Sequence, residues 1–340
     1  MRRWRGPATM NRRRSKFTFY RDGFESLPPP DWLVKEIIPK DGLVLLFGQS
    51  GSGKTFVALD IGLSVTYGQS WHAHSTTKGG SVVYVAAEYT RSLKNRIAAW
   101  RQEHGHEHLI NFITTKNPVQ LHKDDEVKEF IRELKSTLSD GESISLIIFD
   151  TLARCIVGAD ESSAQEMGLV ISNADRIREE LNTAVMLVHH TVRDENRFRG
   201  SGVFKDGPTT VIGVEAGSGK SLTVTCKKQK DDEEFKPFDL YLTPAFGSCV
   251  LRTGGAELMM IRVIYDNGGS CSWSEWTTGS ELAGIPKGGS FDRLKRAVEE
   301  LKWVRKDGDR YTLTLEGTDA LAKARYGQEE GAEPPLPAAA

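Results

Sequence analysis

Cysteine is scarce in this chain of 340 residues: Cys155, Cys226, Cys249 and Cys271 stand far apart, with no CxxC pair among them. That spacing argues against a disulfide framework and a zinc knuckle and predicts buried, reduced thiols. No apolar run approaches the length that spans a bilayer, and the amino-terminal head lacks the apolar core of a secretory signal. A soluble, cytoplasmic protein with no membrane partner is expected. An excess of charge is missing too: Lys and Arg total 45 and Asp and Glu 46, so any surface for nucleic acid must be local. Acid itself is absent from the head. Before Asp22 the charged residues are Arg2, Arg3, Arg5, Arg12, Arg13, Arg14, Lys16 and Arg21. Residues 1–27 are therefore set apart as a basic arm, either clinging to phosphates or solvated and disordered.

The length exceeds one average domain and predicts a large unit followed by a small one. What the chain does have is the tetrapeptide GSGK, written twice. In the first copy, LVLLF (Leu43 to Phe47) reads as a strand buried on both faces, as in a parallel sheet. GQSGSGKT follows, with Gly48, Gly53, Lys54 and Thr55 in the places a phosphate-binding loop requires, and FVALDIGLSV then reads as a mostly apolar helix. Glycines let backbone N–H groups curl around phosphates. The helix N-terminus favours the anion, the lysine reaches the outer phosphates, and the hydroxyl serves Mg²⁺. Residues Gly48, Gln49, Ser50, Gly51, Ser52, Gly53, Lys54 and Thr55 are the expected ATP site.

The second copy lies in VEAGSGKSLT, with Val214 where the loop pattern needs glycine. VIGVE before it and LTVTC after it read as strands, the latter alternating Leu222, Val224, Cys226 with Thr223, Thr225. Without a following helix no dipole points at a phosphate, so a hairpin turn is expected and one nucleotide site per chain remains.

A carboxylate at a neighbouring strand tip should hold the metal's water shell. SLIIFD ends in Asp150, which with Thr55 makes the expected Mg²⁺ site. Thr151 stands where a catalytic glutamate often follows. SVVYVAAE ends a second apolar strand at Glu88, the candidate base for the attacking water, against the plainer reading of a solvated strand end. AVMLVHH ends in His189 and His190, either of which could contact the γ-phosphate; strand alternation admits only one, and His190 is favoured over His189. Helical stretches separate these strands, the clearest carrying Ala164, Met167, Ile171, Ala174, Ile177 and Leu181 on one face. Repeated strand–helix units imply an α/β fold with a doubly wound, mostly parallel sheet.

With PPPDW ahead of the first strand, VAAEYTRSLKNRIAAW after the second, DTLAR, GADESSA and HHTVRDENRFRGSG, residues 28–242 resemble the RecA-like AAA ATPases of the plasmid RepA type, hexameric replicative helicases related to the DnaB core. The resemblance implies a RecA-like P-loop domain over residues 28–251, a homo-oligomeric ring with six copies as the expected number, and ATP held between neighbours. A cation from one chain then completes the next chain's site. Arg199 in RGSG and Lys228 or Lys230 in CKKQK are the candidates.

After Leu251, RTGGAE reads as a linker to a module over residues 256–326. Its order is a helix with Leu258, Ile261 and Ile264, a helix in SWSEWTTGSELAG, a third with a buried stripe of Phe291, Leu294, Val298 and Leu301, two strands meeting at Asp307 and Gly308, and a last helix around Leu321. This order resembles a winged helix. Arg293, Arg296, Lys302, Arg305, Lys306 and Arg310 suit phosphate contact on its third helix and hairpin, with protein docking as the other reading. Residues 327–340 read as a disordered tail. The expected function is an ATP-hydrolysing DNA motor, with single-stranded DNA through the ring and duplex on the module; the alternative is a DNA-bound ATP switch that loads or regulates without unwinding.

Overall fold

The computed structural model describes residues 30–77, 80–86, 90–115, 117–139, 141–190, 202–217 and 220–326. A short antiparallel pair, β1 (Trp32–Val34) and β2 (Ile38–Pro39), leads into β3 (Leu43–Gly48) and α1 (Lys54–Tyr67). Then β4 (Ser81–Ala86), α2 (Thr90–Glu103), β5 (Phe112–Thr115), α3 (Asp124–Thr137), β6 (Ile144–Asp150), α4 (Ala164–Leu181) and β7 (Ala184–His190) alternate. A short helix α5 (Val203–Asp206) precedes four strands: β8 (Thr210–Ala216), β9 (Ser221–Gln229), β10 (Phe238–Ala245) and β11 (Ser248–Thr253).

These strands form one nine-stranded sheet in the order β11-β10-β9-β8-β3-β7-β6-β4-β5. The part from β8 to β5 is parallel, and β9, β10 and β11 extend it antiparallel. Parallel strands need a crossover between them and end up covered on both faces, which is why their sequences are near-continuous apolar runs. Alternation along each strand sorts the side chains into two cores. Val44, Leu46, Val82, Tyr84, Leu146, Ile148, Met186 and Val188 face α1 and α2. Leu45, Phe47, Val83, Val85, Ile147, Phe149, Val185 and Leu187 face α3 and α4. The fold is a doubly wound α/β sheet. Helix α1 is buried along most of its length, packed on β3, β4, β6 and β7 with α2 and β11 also against it, so its apolar residues are not confined to one face.

The remaining elements are α6 (Ala256–Asp266), β12 (Ser270–Ser272), α7 (Trp273–Leu282), α8 (Gly289–Glu300), β13 (Val304–Asp307), β14 (Arg310–Leu313) and α9 (Leu315–Tyr326). Three strands pair as β12-β14-β13 over a core that includes Trp276, Phe291, Leu294 and Val298. Ser272 caps α7 in a reciprocal box with Glu275. Leu301, expected in the buried stripe, sits at the end of α8 and is 48% exposed, because the helix stops there and the chain turns away. The expected linker after Leu251 shrinks to two glycines, since β11 runs on through Arg252 and Thr253.

That extension lets a buried charge network tie the two parts together. Arg252 donates to both carboxylate oxygens of Glu103 at 3.0 Å, and Arg262 of α6 lies 3.5 Å from the same group. Burial pushes the Glu103 carboxyl up, but the Arg252 hydrogen bonds and the charges of Arg252 and Arg262 outweigh it and hold it below its ordinary value. The four thiols are free. Cys155, Cys226 and Cys271 are buried, with burial pushing Cys155 up to about 12, whereas Cys249 on the edge strand is only half-buried. Among the described residues no helix is long and apolar enough to cross a membrane.

Candidate active site

At the carboxyl edge of the parallel strands, β3 ends at Gly48 and the chain curls through residues 49–53 into α1. The curl depends on glycine at two points. A Cβ on Gly48 would lie 2.2 Å from the Val214 carbonyl oxygen, and Gly53 caps α1 with φ 94°, where a Cβ would meet Leu222 Cδ2 at 2.7 Å. Residues Val214 and Leu222 of the β8–β9 hairpin thus form the back wall of the loop. Lys54 is buried and its Nζ donates to the carbonyls of Gly48 at 3.0 Å and Gln49 at 2.7 Å, which holds the ammonium inside the curl. Helix α1 begins with no side-chain cap and no acidic residue in its first turn. Ser52 Oγ is buried with no hydrogen-bond partner among the described residues. A concave backbone, an uncapped helix start, an ammonium and an orphan hydroxyl suit a polyphosphate.

The strand order decides what stands beside this loop. Strand β7 lies between β3 and β6, so Gly48 pairs with His190, Val188 pairs with Asp150, and Asp150 pairs with Ala86 of β4. Asp150 shares its parity with Leu146 and Ile148 and so belongs to the α1 face; it is buried, and Tyr84 donates a hydrogen bond to its Oδ2 at 2.5 Å. Thr55 is half-buried in the first turn of α1. A hydroxyl and a carboxylate are hard oxygen donors, the chemistry Mg²⁺ takes, and the site fits that ion with nucleotide. The histidines separate by parity. His189 is buried against Phe204, with ring centroids 5.3 Å apart, on the face of α3 and α4. His190 shares parity with Met186 and Val188, on the α1 face beside Gly48.

Other candidates are not brought here. Glu88 and Arg199 lie outside the described residues. Lys228 and Lys230 lie at the opposite edge of the sheet, where β9 runs past the start of β8, and their Nζ atoms donate to the carbonyls of Asp206 at 2.8 Å and Gly207 at 3.1 Å. They do not reach the phosphate loop of their own chain. Strands β8 and β9 pair antiparallel on either side of the second GSGK, with Ala216 opposite Leu222 and Gly217 N–H bonded to the Ser221 carbonyl at 2.9 Å. Sequence reasoning missed Tyr84, which stands within an apolar strand as one more large core residue. The available signal was its hydroxyl, the one polar side-chain atom between Ser81 and Glu88.

A strand, a glycine loop, a lysine and a helix have the form of a nucleoside-triphosphate site, and the AAA domain matches residues 10–196, more than half of the chain. The chain belongs to the AAA domain family. As an AAA domain it is an ATPase, with the loop 48–55 inside the matched stretch and β8 to α9 beyond it. No curated protein matches the sequence. Among solved structures, the AAA domain protein is similar to another ATPase domain at 14% identity, with a TM-score of 0.45, covering 62% of this chain and 84% of that one. It is also similar to a DnaB-like replicative helicase, solved with its interactions with primase, at 13% identity and a TM-score of 0.45; 62% of this chain and 59% of that one are covered. Likeness at that level bears on neither activity nor assembly, and the fold rests on the strand order itself.

Proposed function

We propose that this AAA domain protein is an ATP-driven DNA motor of the RepA helicase type, working as a homo-oligomeric ring, a hexamer, in replication of a phage, plasmid or other mobile element. The observation that carries the ATPase half is the loop 48–55, with Lys54 held inside the curl and Asp150 two strands away on the α1 face. In this reading the loop N–H groups and Lys54 bind the phosphates, and Thr55 and Asp150 hold Mg²⁺. Mg²⁺ held there would supply positive charge against the phosphates. Glu88 orients the water that attacks, and His190 contacts the γ-phosphate. Arg199, Lys228 and Lys230 serve a neighbouring copy. Placement of the two lysines away from their own chain's loop supports that division of labour.

The DNA half rests on the carboxy-terminal elements. We read α6 to α9 as a winged-helix-like domain, with α8 as the helix that enters a groove and β13–β14 as the wing. Arg293, Arg296, Lys302, Arg305, Lys306 and Arg310 lie along that helix and hairpin. Several of them are partly spent: Arg310 lies 3.9 Å from Glu275 and Arg305 3.9 Å from Asp307. A second reading, a DNA-bound ATP switch that loads or regulates, keeps the same site without translocation. ATP turnover with and without single-stranded DNA, together with strand displacement from a forked duplex, tests the proposal. Stimulated turnover with displacement is expected. Turnover without displacement favours the switch, and a chain that stays monomeric with ATP and DNA present excludes the motor.

A further inference from the structure

Tyr84 sits in the middle of an apolar strand, buried to 1% exposure, its ring stacked on Phe112 with centroids 6.0 Å apart and enclosed by the α1 core. A buried hydroxyl without a partner costs about 1–3 kcal/mol, so a phenylalanine would be the cheaper filler unless the hydroxyl has work. Its work is visible. In the parallel register Tyr84 lies beside Ile148, two residues before Asp150, and from there its hydroxyl reaches Asp150 Oδ2 at 2.5 Å. The ring is packed in the core, so the hydroxyl is a fixed donor to one oxygen of the Asp150 carboxylate.

We infer that Tyr84 is a positioning residue for the metal half of the nucleotide site: it holds Asp150 in the orientation that receives the Mg²⁺ water shell. The inference rests on the reading of Thr55 and Asp150 as the metal site. It adds a consequence for β4. The strand that holds Asp150 through Tyr84 is the one whose sequence runs on to Glu88.

Binding of a fluorescent ATP analogue to the full chain, titrated with Mg²⁺ or held in EDTA, tests this. Tyr84→Phe should leave affinity in EDTA within about twofold of wild type and raise the Mg²⁺ concentration for half-saturation about five- to tenfold, the loss of one hydrogen bond to a charged group. In an Asp150→Asn background the same change should have no further effect on Mg²⁺ dependence. A wild-type Mg²⁺ titration in Tyr84→Phe, or a loss that persists at full size beside Asp150→Asn, overturns the inference and leaves Tyr84 a core residue. Should Tyr84→Phe fail to fold, 4-aminophenylalanine at position 84 keeps the ring and an N–H donor, and 4-methylphenylalanine keeps the shape without one. The first should hold the Mg²⁺ half-saturation within about twofold of wild type and the second should raise it about five- to tenfold, and equal values overturn the inference. Wild-type protein that binds no nucleotide in either condition removes the metal-site reading itself, an outcome distinct from the others.

Discussion

The two GSGK stretches share four residues and almost nothing else. In the first, Gly53 faces Leu222 so closely that a side chain has no room, as does Gly48 just ahead against the Val214 carbonyl, and the lysine is buried among carbonyl oxygens at the start of a helix of 14 residues. In the second, the flanking strands pair antiparallel, and Lys220 is exposed with its Nζ 3.3 Å from the Leu282 carbonyl of the carboxy-terminal elements. A tetrapeptide has no structure of its own. Its flanks set it: an apolar run and a helix former make a phosphate loop, while two alternating strands make a turn. The two are also neighbours, since Val214 and Leu222 of the hairpin wall the loop.

The sharpest way to break this contrast is to remove each lysine. Lys54→Ala should lower ATP turnover about a thousandfold, the scale of losing a group that stabilises transferring phosphate, whereas Lys220→Ala should change it less than about twofold. Steady-state phosphate release measures both, and equal losses would assign the second copy a nucleotide role. Next in size is the clamp that joins the ATPase core to the elements beyond it. Glu103→Gln removes the half-buried carboxylate that Arg252 and Arg262 share, leaving them only the more exposed Asp266, and should cost about 3 kcal/mol in chemical denaturation at neutral pH.

Its pH dependence has a definite sign. Glu103 is held below its ordinary 4.5 in the folded chain, so its stabilisation is present above that value and is lost as pH falls through the folded value. Wild type should therefore lose stability across that acidic window faster than Glu103→Gln, and parallel curves would discard the clamp as a stabilising group.

Third, with Glu88 in its proposed role as the base, Glu88→Gln should bind ATP normally and turn it over at least about a hundredfold more slowly. Turnover within a few-fold of wild type would remove Glu88 from the mechanism. The smallest effect separates the glycines. Gly48→Ala forces a methyl into a backbone carbonyl and should cost about 2 kcal/mol of stability, while Gly217→Ala meets only the movable Ser221 side chain at close range and should cost less than about 0.5 kcal/mol. Thermal melting distinguishes them.

Much of this is legible in the sequence. LVLLF, SVVYVAAE, SLIIFD and AVMLVHH read as apolar strands of a parallel sheet, and the polar ends of the last three read as tips. Leu222, Val224 and Cys226 alternate with threonines and are the buried side of β9. Pattern and structure part where a helix ends: Leu301 continues the apolar spacing of α8 but stands beyond its last turn, and the periodicity carries no mark of that. Tyr84 is hidden for a different reason. A tyrosine in an apolar run looks like core, and only the neighbouring strand shows where its hydroxyl goes.

Local pattern alone determined the phosphate loop, the period of each strand and the side of each helix that turns inward, because these depend on residues within a few positions of one another. Tertiary structure decided the rest. It chose β7 as the strand between the loop and Asp150, turned His190 toward α1 and His189 toward Phe204, sent Lys228 and Lys230 to the far edge, and joined Glu103 to Arg252 and Arg262. Those neighbours are mostly far apart along the chain, and which of them meet depends on the order in which strands pair, a choice made by burying the whole sheet rather than by any segment of it.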